Sequence, residues 1–308
     1  MKILVAGEIN PDLIMRNSQT FPEPGKEVLV EDLLLTLGSS SAICAAGLAR
    51  LGDQVTMAGN VGADTYGDFS IAALVRLGVD VSLVNRRPDL KTGITVSITS
   101  SRDRALVTYL GAISSLSPED LPLRVFGPFR HFHVSSYFLQ DLLRPGLKNL
   151  FAQLRGQGLT TSLDTGYDPS EKWSRDLIDT LTEVDVFLPN ETEIRRITGC
   201  EQVEDGLLAL ENGHTLVVGK LGAEGCIMRH QGHWLRAAAF PVEVVDTTGA
   251  GDSFNAGFLH AWLKGRPLPD CLHFAAACGA LSTRGLGGTT TQATEEEAEA
   301  YLHAQARN

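Results

Sequence analysis

The stretch Val244-Val245-Asp246-Thr247-Thr248-Gly249-Ala250-Gly251-Asp252-Ser253-Phe254-Asn255-Ala256-Gly257-Phe258 decides how the rest of the sequence is read. The valines read as the end of a strand, and the glycines around Ala250 let the chain turn tightly into a helix. The first N–H groups of such a helix have no partner and point the same way, and the helix dipole adds positive potential there. The turn is therefore suited to an anion: a phosphate, or the charge that develops on a phosphoryl group in transfer. Asp252 would oppose a bound phosphate electrostatically, yet it is well placed to take the proton of an alcohol that attacks phosphorus. A helix-cap aspartate would account for the same residue. The local sequence leaves both readings open.

Outward from this turn the chain alternates strand and helix. Residues Ile3–Ala6, Val55–Gly59, Phe129–Ser135, Thr160–Leu163, Val184–Leu188 and Thr215–Gly219 read as short strands. Gly38–Leu51, Asp68–Leu77 and Leu147–Arg155 read as helices, the first two followed by Gly52 and Gly78. This spacing predicts an α/β fold of three layers, a Rossmann-like, mostly parallel sheet flanked by helices. Helices are also expected from Gly249 to about Lys264, from Asp270 to about Thr283, and after the capping box at Thr294-Glu295-Glu296-Glu297. Two β-rich runs break the rhythm, Thr92–Thr99 and Ala105–Leu110, joined by the charged turn Ser101-Arg102-Asp103-Arg104. They read as a hairpin which, with the stretch after Asn10 and the extended segment Glu27–Leu35, forms a small second sheet acting as a lid. The lid comprises about residues 11–35 and 92–110. No repeat or low-complexity linker divides the chain, so residues 1–308 are expected to be a single domain.

The composition narrows function. Of 308 residues, 43% are hydrophobic and 20% charged, which is ordinary for a globular protein. A net charge of −11 argues against a broad basic face for nucleic acid or anionic lipid. No apolar run reaches the roughly 18 to 20 residues that cross a bilayer, and Glu8, Asn10 and Asp12 interrupt the first apolar stretch too early for a secretory leader. A cytoplasmic setting is expected, and there the sequon at Asn190-Glu191-Thr192 is a chance match. Cys44, Cys200, Cys226, Cys271 and Cys278 are odd in number and widely spread, so they read as free thiols. His131, His133, His230 and His233 lack a third ligand at a metal spacing and read as structural or solvated. Neither a Gly-x-x-x-x-Gly-Lys-Ser/Thr loop nor a Gly-x-Gly-x-x-Gly after the first strand is present, which weighs against a Walker NTPase and a conventional dinucleotide-binding fold.

Asp246-Thr247-Thr248-Gly249-Ala250-Gly251-Asp252-Ser253-Phe254 resembles the C-terminal signature of the ribokinase-like, or PfkB, family of carbohydrate kinases. The resemblance implies that Asp252 is the catalytic base and that the backbone of Gly249, Ala250, Gly251 and Asp252 is the anion hole. About 50 residues upstream, Pro189-Asn190-Glu191-Thr192-Glu193 resembles the family's Asn-x-x-Glu motif, implying that Asn190 and Glu193 help to place magnesium, through water, and the nucleotide phosphates. Val217–Gly225 resembles the strand and turn that approach the nucleotide, which makes Lys220, Gly222, Gly225 and Thr247 candidates for ATP binding. A solvated strand end would also account for Lys220, and a helix N-terminus for Asn190 and Glu193. Asp246 and Thr248, with the loop Gly285–Thr289, loosely match the region where relatives bind a monovalent cation, which implies potassium as an activator.

The N-terminal half resembles the family with departures. Gly7-Glu8-Ile9-Asn10-Pro11-Asp12 is similar to the opening strand whose Asn and Asp meet substrate hydroxyls, so Asn10 and Asp12 are acceptor-site candidates. Gly59–Asp68 follows the family closely. Gly38-Ser39-Ser40-Ser41-Ala42-Ile43 stands where relatives have Gly-Gly, two variable residues, a small residue and Asn. Gly38, Ser39 and Ser40 are kept as acceptor contacts, but Ser39 replaces a glycine and Ile43 the asparagine, so ribose specificity does not carry over; the serines also suit a helix cap. The resemblance implies ATP- and magnesium-dependent phosphorylation of a hydroxyl of a small sugar or polyol, in a homodimer paired through the lid. Two alternatives are a nucleoside kinase of the same fold, for which Phe21, Tyr137 and Phe138 are the stacking candidates, and a non-catalytic sugar-binding regulator. A dehydrogenase is a more distant one.

Overall fold

The computed structural model describes all residues except 17, 19, 100–103, 122, 123, 125 and 306–308. The first strand, β1 (Lys2–Ala6), is buried on both sides: Ile3 and Val5 point into one apolar cluster, Leu4 and Ala6 into another. An unbroken apolar run of this kind belongs in a parallel sheet covered by helices on both faces. After β2 (Pro11–Arg16) and β3 (Asp32–Leu37) come α1 (Ser40–Arg50), β4 (Gln54–Gly62), α2 (Thr65–Arg76) and β5 (Asp80–Arg87). The strands β6 (Ile94–Thr99) and β7 (Arg104–Tyr109) precede β8 (His131–Val134), α3 (Arg144–Gly156), β9 (Thr160–Leu163), α4 (Asp176–Leu181) and β10 (Val186–Phe187). Then follow α5 (Glu191–Thr198), α6 (Val203–Ala209), β11 (Leu216–Lys220), β12 (Cys226–His230), β13 (His233–Ala237), α7 (Ala250–Leu263), α8 (Leu268–Ser282) and α9 (Glu295–Gln305).

The main sheet runs β13-β12-β11-β10-β9-β8-β1-β4-β5, with only β12 reversed, antiparallel to both its neighbours β11 and β13. Helices α1, α7 and α8 cover one face and α3, α4 and α6 the other, giving the three layers expected. Because β1 lies between β4 and β8, successive crossovers leave it in opposite directions, and a crevice opens at the C-terminal strand ends, where ligands bind in such sheets. The second sheet, β3-β2-β6-β7, contains the expected hairpin, the stretch after Asn10 and only the latter part of the expected segment Glu27–Leu35, because β3 begins at Asp32. The hairpin's turn, at residues 101–103, lies outside the described residues.

Some expectations need correction. No strand precedes the turn at Gly249: Val244 and Val245 are exposed, and Val245 N–H bonds Thr283 O rather than a neighbouring strand. α2 starts at Thr65, not Asp68, because Asp64 caps it by accepting from Gly67 N–H at 2.9 Å. The structure adds the edge strand β5, the helices α4 to α6 and the hairpin β12–β13, which turns through Gln231 and Gly232, both at positive φ. His131 and His133 are fully buried and hydrogen-bonded to Thr160, Ser162 and Ser135, a structural role. All five cysteines are free. Among the described residues no helix is long and apolar enough to cross a membrane.

Candidate active site

The turn into α7 is built by Asp246. Its Oδ1 accepts from Thr248 N–H at 2.9 Å and Thr248 Oγ1–H at 2.8 Å, and its Oδ2 accepts from Gly287 N–H at 2.9 Å. Gly249 then sits at φ 73°, where a Cβ would stand 2.6 Å from Gly288 Cα, so this residue must be glycine. α7 begins at Ala250, and as residues of its first turn Gly251 and Asp252 present N–H groups without intrahelical acceptors. Asp252, with Thr248 and Gly249, lines a cavity of about 740 Å³ whose opposite wall is the inner face of the small sheet. Burial pushes the Asp252 carboxyl well above the usual range; the negative charges of Asp164 and Glu8 add to this, while Lys220 and a hydrogen bond from Ser40 oppose it.

Asn10, Asp12, Ser39 and Ser40 line the same cavity, Ser40 within hydrogen-bond reach of Asp252. The Asp12 carboxylate lies against Gly38, where a Cβ would be 2.0 Å from Oδ1. Ser39 takes the N-cap of α1 at φ 63° and ψ 133°, a conformation that costs a residue with a side chain about 1–3 kcal/mol. Its hydroxyl donates to Glu8 O at 2.8 Å and accepts from Ala42 N–H at 3.3 Å, so capping already occupies it. Glu8 is the cavity residue that sequence reasoning missed. It is 2% exposed and lines the cavity. Its Oε1 accepts from Ser136 Oγ–H at 2.8 Å and Ser41 N–H at 3.2 Å, its Oε2 from Ser41 Oγ–H at 2.7 Å and Gln140 Nε2–H at 3.1 Å. A carboxylate directly after a buried strand, at a strand end that opens on the crevice, was the available signal.

The aromatic candidates also need correction. Tyr137 and Phe138 are buried and pack on each other at 5.3 Å, and Phe21 is not among the lining residues. Tyr167 lines the cavity instead, 52% exposed, its hydroxyl donating to Glu171 Oε1 at 2.6 Å.

A second group lies on the other side of the first turn of α7. Asn190 caps α5: its Oδ1 accepts from Glu193 N–H at 2.9 Å, and Glu193 accepts from Asn190 N–H and Nδ2–H, both at 2.8 Å. Burial and then the charge of Asp164 push Glu193 up to about 7, against the pull of Lys220. Asn190 pairs with Lys220 across the ends of β10 and β11. Lys220 Nζ donates to Asp164 Oδ2 at 2.6 Å and Asn255 Oδ1 at 3.1 Å. Gly222 and Gly225 bracket the turn after β11, and Gly225 packs so closely on Ala237 that a Cβ would stand 2.0 Å from its carbonyl oxygen. Thr247 is exposed at the turn before α7. Asp252 and Gly249 thus meet the acceptor candidates in one cavity, while Asn190, Glu193, Lys220 and Gly222 stand apart from that lining.

This arrangement, a helix start with unpaired N–H groups and a carboxylate lining a cavity of mixed polar and apolar residues, suits phosphoryl transfer. Residues 1–295 match the model of the pfkB family carbohydrate kinases, and the chain belongs to that family. It is 27% identical to the ribokinase of Haemophilus influenzae over 310 residues, covering 97% of this chain and 98% of the relative. It is 29% identical to a nucleoside kinase of Methanothermobacter thermautotrophicus, covering 98% and 96%. The fold is also that of Arabidopsis thaliana ribokinase complexed with ribose and ATP, at a TM-score of 0.83, 24% identity and 98% coverage of both chains. The chain is therefore a kinase of the sugar and nucleoside type.

Proposed function

We propose that this kinase transfers a phosphoryl group from ATP to a hydroxyl of a small sugar or sugar-like polyol. The observation that carries the reading is the place of Asp252, in the first turn of α7 and lining the same cavity as Asn10 and Asp12. The Asn10 amide and the Asp12 carboxylate orient the acceptor, since a carboxylate accepts from two sugar hydroxyls at once. Asp252 takes the hydroxyl proton on a carboxylate oxygen. Its raised proton affinity makes it a stronger base than an exposed aspartate. The amides of Gly249, Gly251 and Asp252 receive the charge of the moving phosphoryl group; the Ala250 N–H, expected among them, donates to Thr247 O at 3.2 Å in this structure. Asn190, Gly222, Gly225 and Thr247 mark the donor side. The small sheet acts as a lid, closing over the acceptor to keep water from the donor phosphate. With that lid, residues 1–308 work as one domain.

The donor side suits magnesium held mostly by water and phosphate. Both Glu193 oxygens already accept from Asn190, so Asn190 and Glu193 would meet the ion through its water shell. Bound there, magnesium would bridge and neutralise the donor phosphates. The link from Asp246 to Gly287 supports a potassium site between these loops, with Thr248; equal rates in sodium and potassium would reject it. The outer face of the small sheet supports a homodimer. Register puts Leu13, Met15, Leu33, Leu35, Val107 and Tyr109 on the side away from the cavity, and the last four of them are exposed. A sheet face of that character is ordinarily covered. The five free thiols fit a cytoplasmic setting.

Tyr167 favours a second reading, a nucleoside acceptor stacked on its ring. A coupled ADP-release screen over ribose, fructose, 2-keto-3-deoxygluconate and adenosine with Mg-ATP tests both. Turnover of a sugar supports the first reading, turnover of adenosine alone the second, and no turnover with any acceptor counts against both.

A further inference from the structure

We infer that Lys220 is a positioning residue that acts through Asp164 and Asn255, a three-way clamp between the ends of β9 and β11 and α7, and not a ligand of the donor phosphates. The inference rests on the reading of Asp252 as the base. Asp164 follows β9, and its Oδ1 accepts from Gly166 N–H at 2.9 Å. Its Oδ2 accepts from both Lys220 Nζ, at 2.6 Å, and Asn255 Nδ2–H, while Lys220 also donates to Asn255 Oδ1 at 3.1 Å. Each member thus bonds the other two. Asn255 is fully buried, and the Lys220 and Asp164 side chains are 12% and 6% exposed.

The clamp grips the catalytic turn from beneath. Asn255 lies three residues after Asp252 and four after Gly251, one helical turn along α7. The lysine stem runs under Gly251, where a Cβ would stand 3.6 Å from Nζ and 3.9 Å from Cδ and Cε. Drawing the ammonium out to a phosphate would leave Asp164 charged, buried and unpaired, the costly state of a broken internal ion pair. The groups that face Asp252 are Glu8 from the end of β1, Ser40 from α1, Asp164 from β9 and Lys220 from β11; Glu193 of α5 faces the Lys220–Asp164 pair, and Asp252 faces Cys44 of α1. Lys220 is the positive charge set against these carboxylates. Its own proton is held more tightly than usual: burial works against it, but Asp164 and Glu193 outweigh burial.

The test is steady-state kinetics on the acceptor found by the screen, with kcat and the KM for ATP measured separately for Lys220→Met, the double variant Lys220→Met/Asp164→Asn, Asn255→Ala and Asp252→Asn. We expect Lys220→Met to lower kcat about 100-fold with the KM for ATP changed less than about 3-fold. The double variant should recover about 10-fold of that loss, because the stranded carboxylate is neutralised. If Lys220→Met does not fold, Asn255→Ala decides: it leaves both charges paired and should lower kcat about 10-fold at constant KM for ATP. A rise of about 10-fold or more in the KM for ATP in Lys220→Met without recovery in the double variant, or an unchanged kcat in Asn255→Ala, overturns the clamp. Wild-type turnover by Asp252→Asn overturns the reading of the base and the inference with it, whereas loss of turnover there beside either contrary result overturns the inference alone.

Discussion

The carboxylate of Asp12 rests on the backbone of Gly38: a Cβ built on that glycine would stand 2.0 Å from Oδ1 and 2.3 Å from Cγ. An alanine there must push the carboxylate aside, and the acceptor loses its oriented partner. We predict that Gly38→Ala raises the KM for the sugar about 10-fold while the KM for ATP stays within about 2-fold. Equal rises in both would place Asp12 outside the acceptor site.

The pH dependence should follow Asp252. Burial, Asp164 and Glu8 raise its proton affinity, so the base form is lost as pH falls through a value well above the ~4 of an ordinary aspartate. The acid limb of kcat/KM is therefore expected far to the neutral side of that value, reporting the coupled cluster rather than one residue. A profile flat down to about pH 4 would contradict it.

Far from the cavity, His260 on α7 is buried, its Nδ1 2.7 Å from Asp53 Oδ2, while Asp53 Oδ1 accepts from the Met1 ammonium at 2.9 Å. Burial alone would raise Asp53, but these two partners hold it below its ordinary value. A lowered folded-state value gives stability that is complete above the unfolded value and is lost as pH falls through the folded one. Asp53→Asn should thus cost about 3 kcal/mol near neutrality, with the difference from wild type shrinking below about pH 4. Denaturant melts at both pH values check this, and a pH-independent difference would remove the electrostatic explanation.

The outer face of the small sheet gives a separate test. Val107 is exposed on the edge strand β7, opposite Val96 of β6, so Val107→Lys should shift the sedimenting mass from dimer to monomer and leave the main sheet folded. A wild-type protein that sediments as a monomer at micromolar concentration rejects the dimer.

Much of this architecture was legible because the signals were local. The glycine turn before α7, the capping box at Thr294 and the hairpin β6–β7 follow from residues a few positions apart, and the structure has them. What was missed depended on neighbours distant in sequence. The pair Val244-Val245 has strand chemistry but finds no strand to pair with. Strand β5 alternates half-buried and exposed residues at a sheet edge and ends in Asn85-Arg86-Arg87, which reads as loop. Glu8 becomes a cavity residue only where Ser136, 128 positions on, donates to it. The bond between Lys220 and Asp164, 56 positions apart, is likewise invisible to a reading that makes Lys220 a polyphosphate partner. Ser39 is the reverse case: its departure from glycine was visible, and the structure shows the strained φ of 63° it must adopt.

The most direct measurement is ADP release by Asp252→Asn under saturating Mg-ATP and the acceptor that the wild type uses, with the melting temperature recorded alongside. The asparagine keeps the shape and the contact with Ser40 but cannot take a proton. We predict a fall in kcat of about 1,000-fold or more at an unchanged melting temperature. A folded Asp252→Asn protein that turns over within about 10-fold of wild type would contradict the account of this site as a base facing an anion hole.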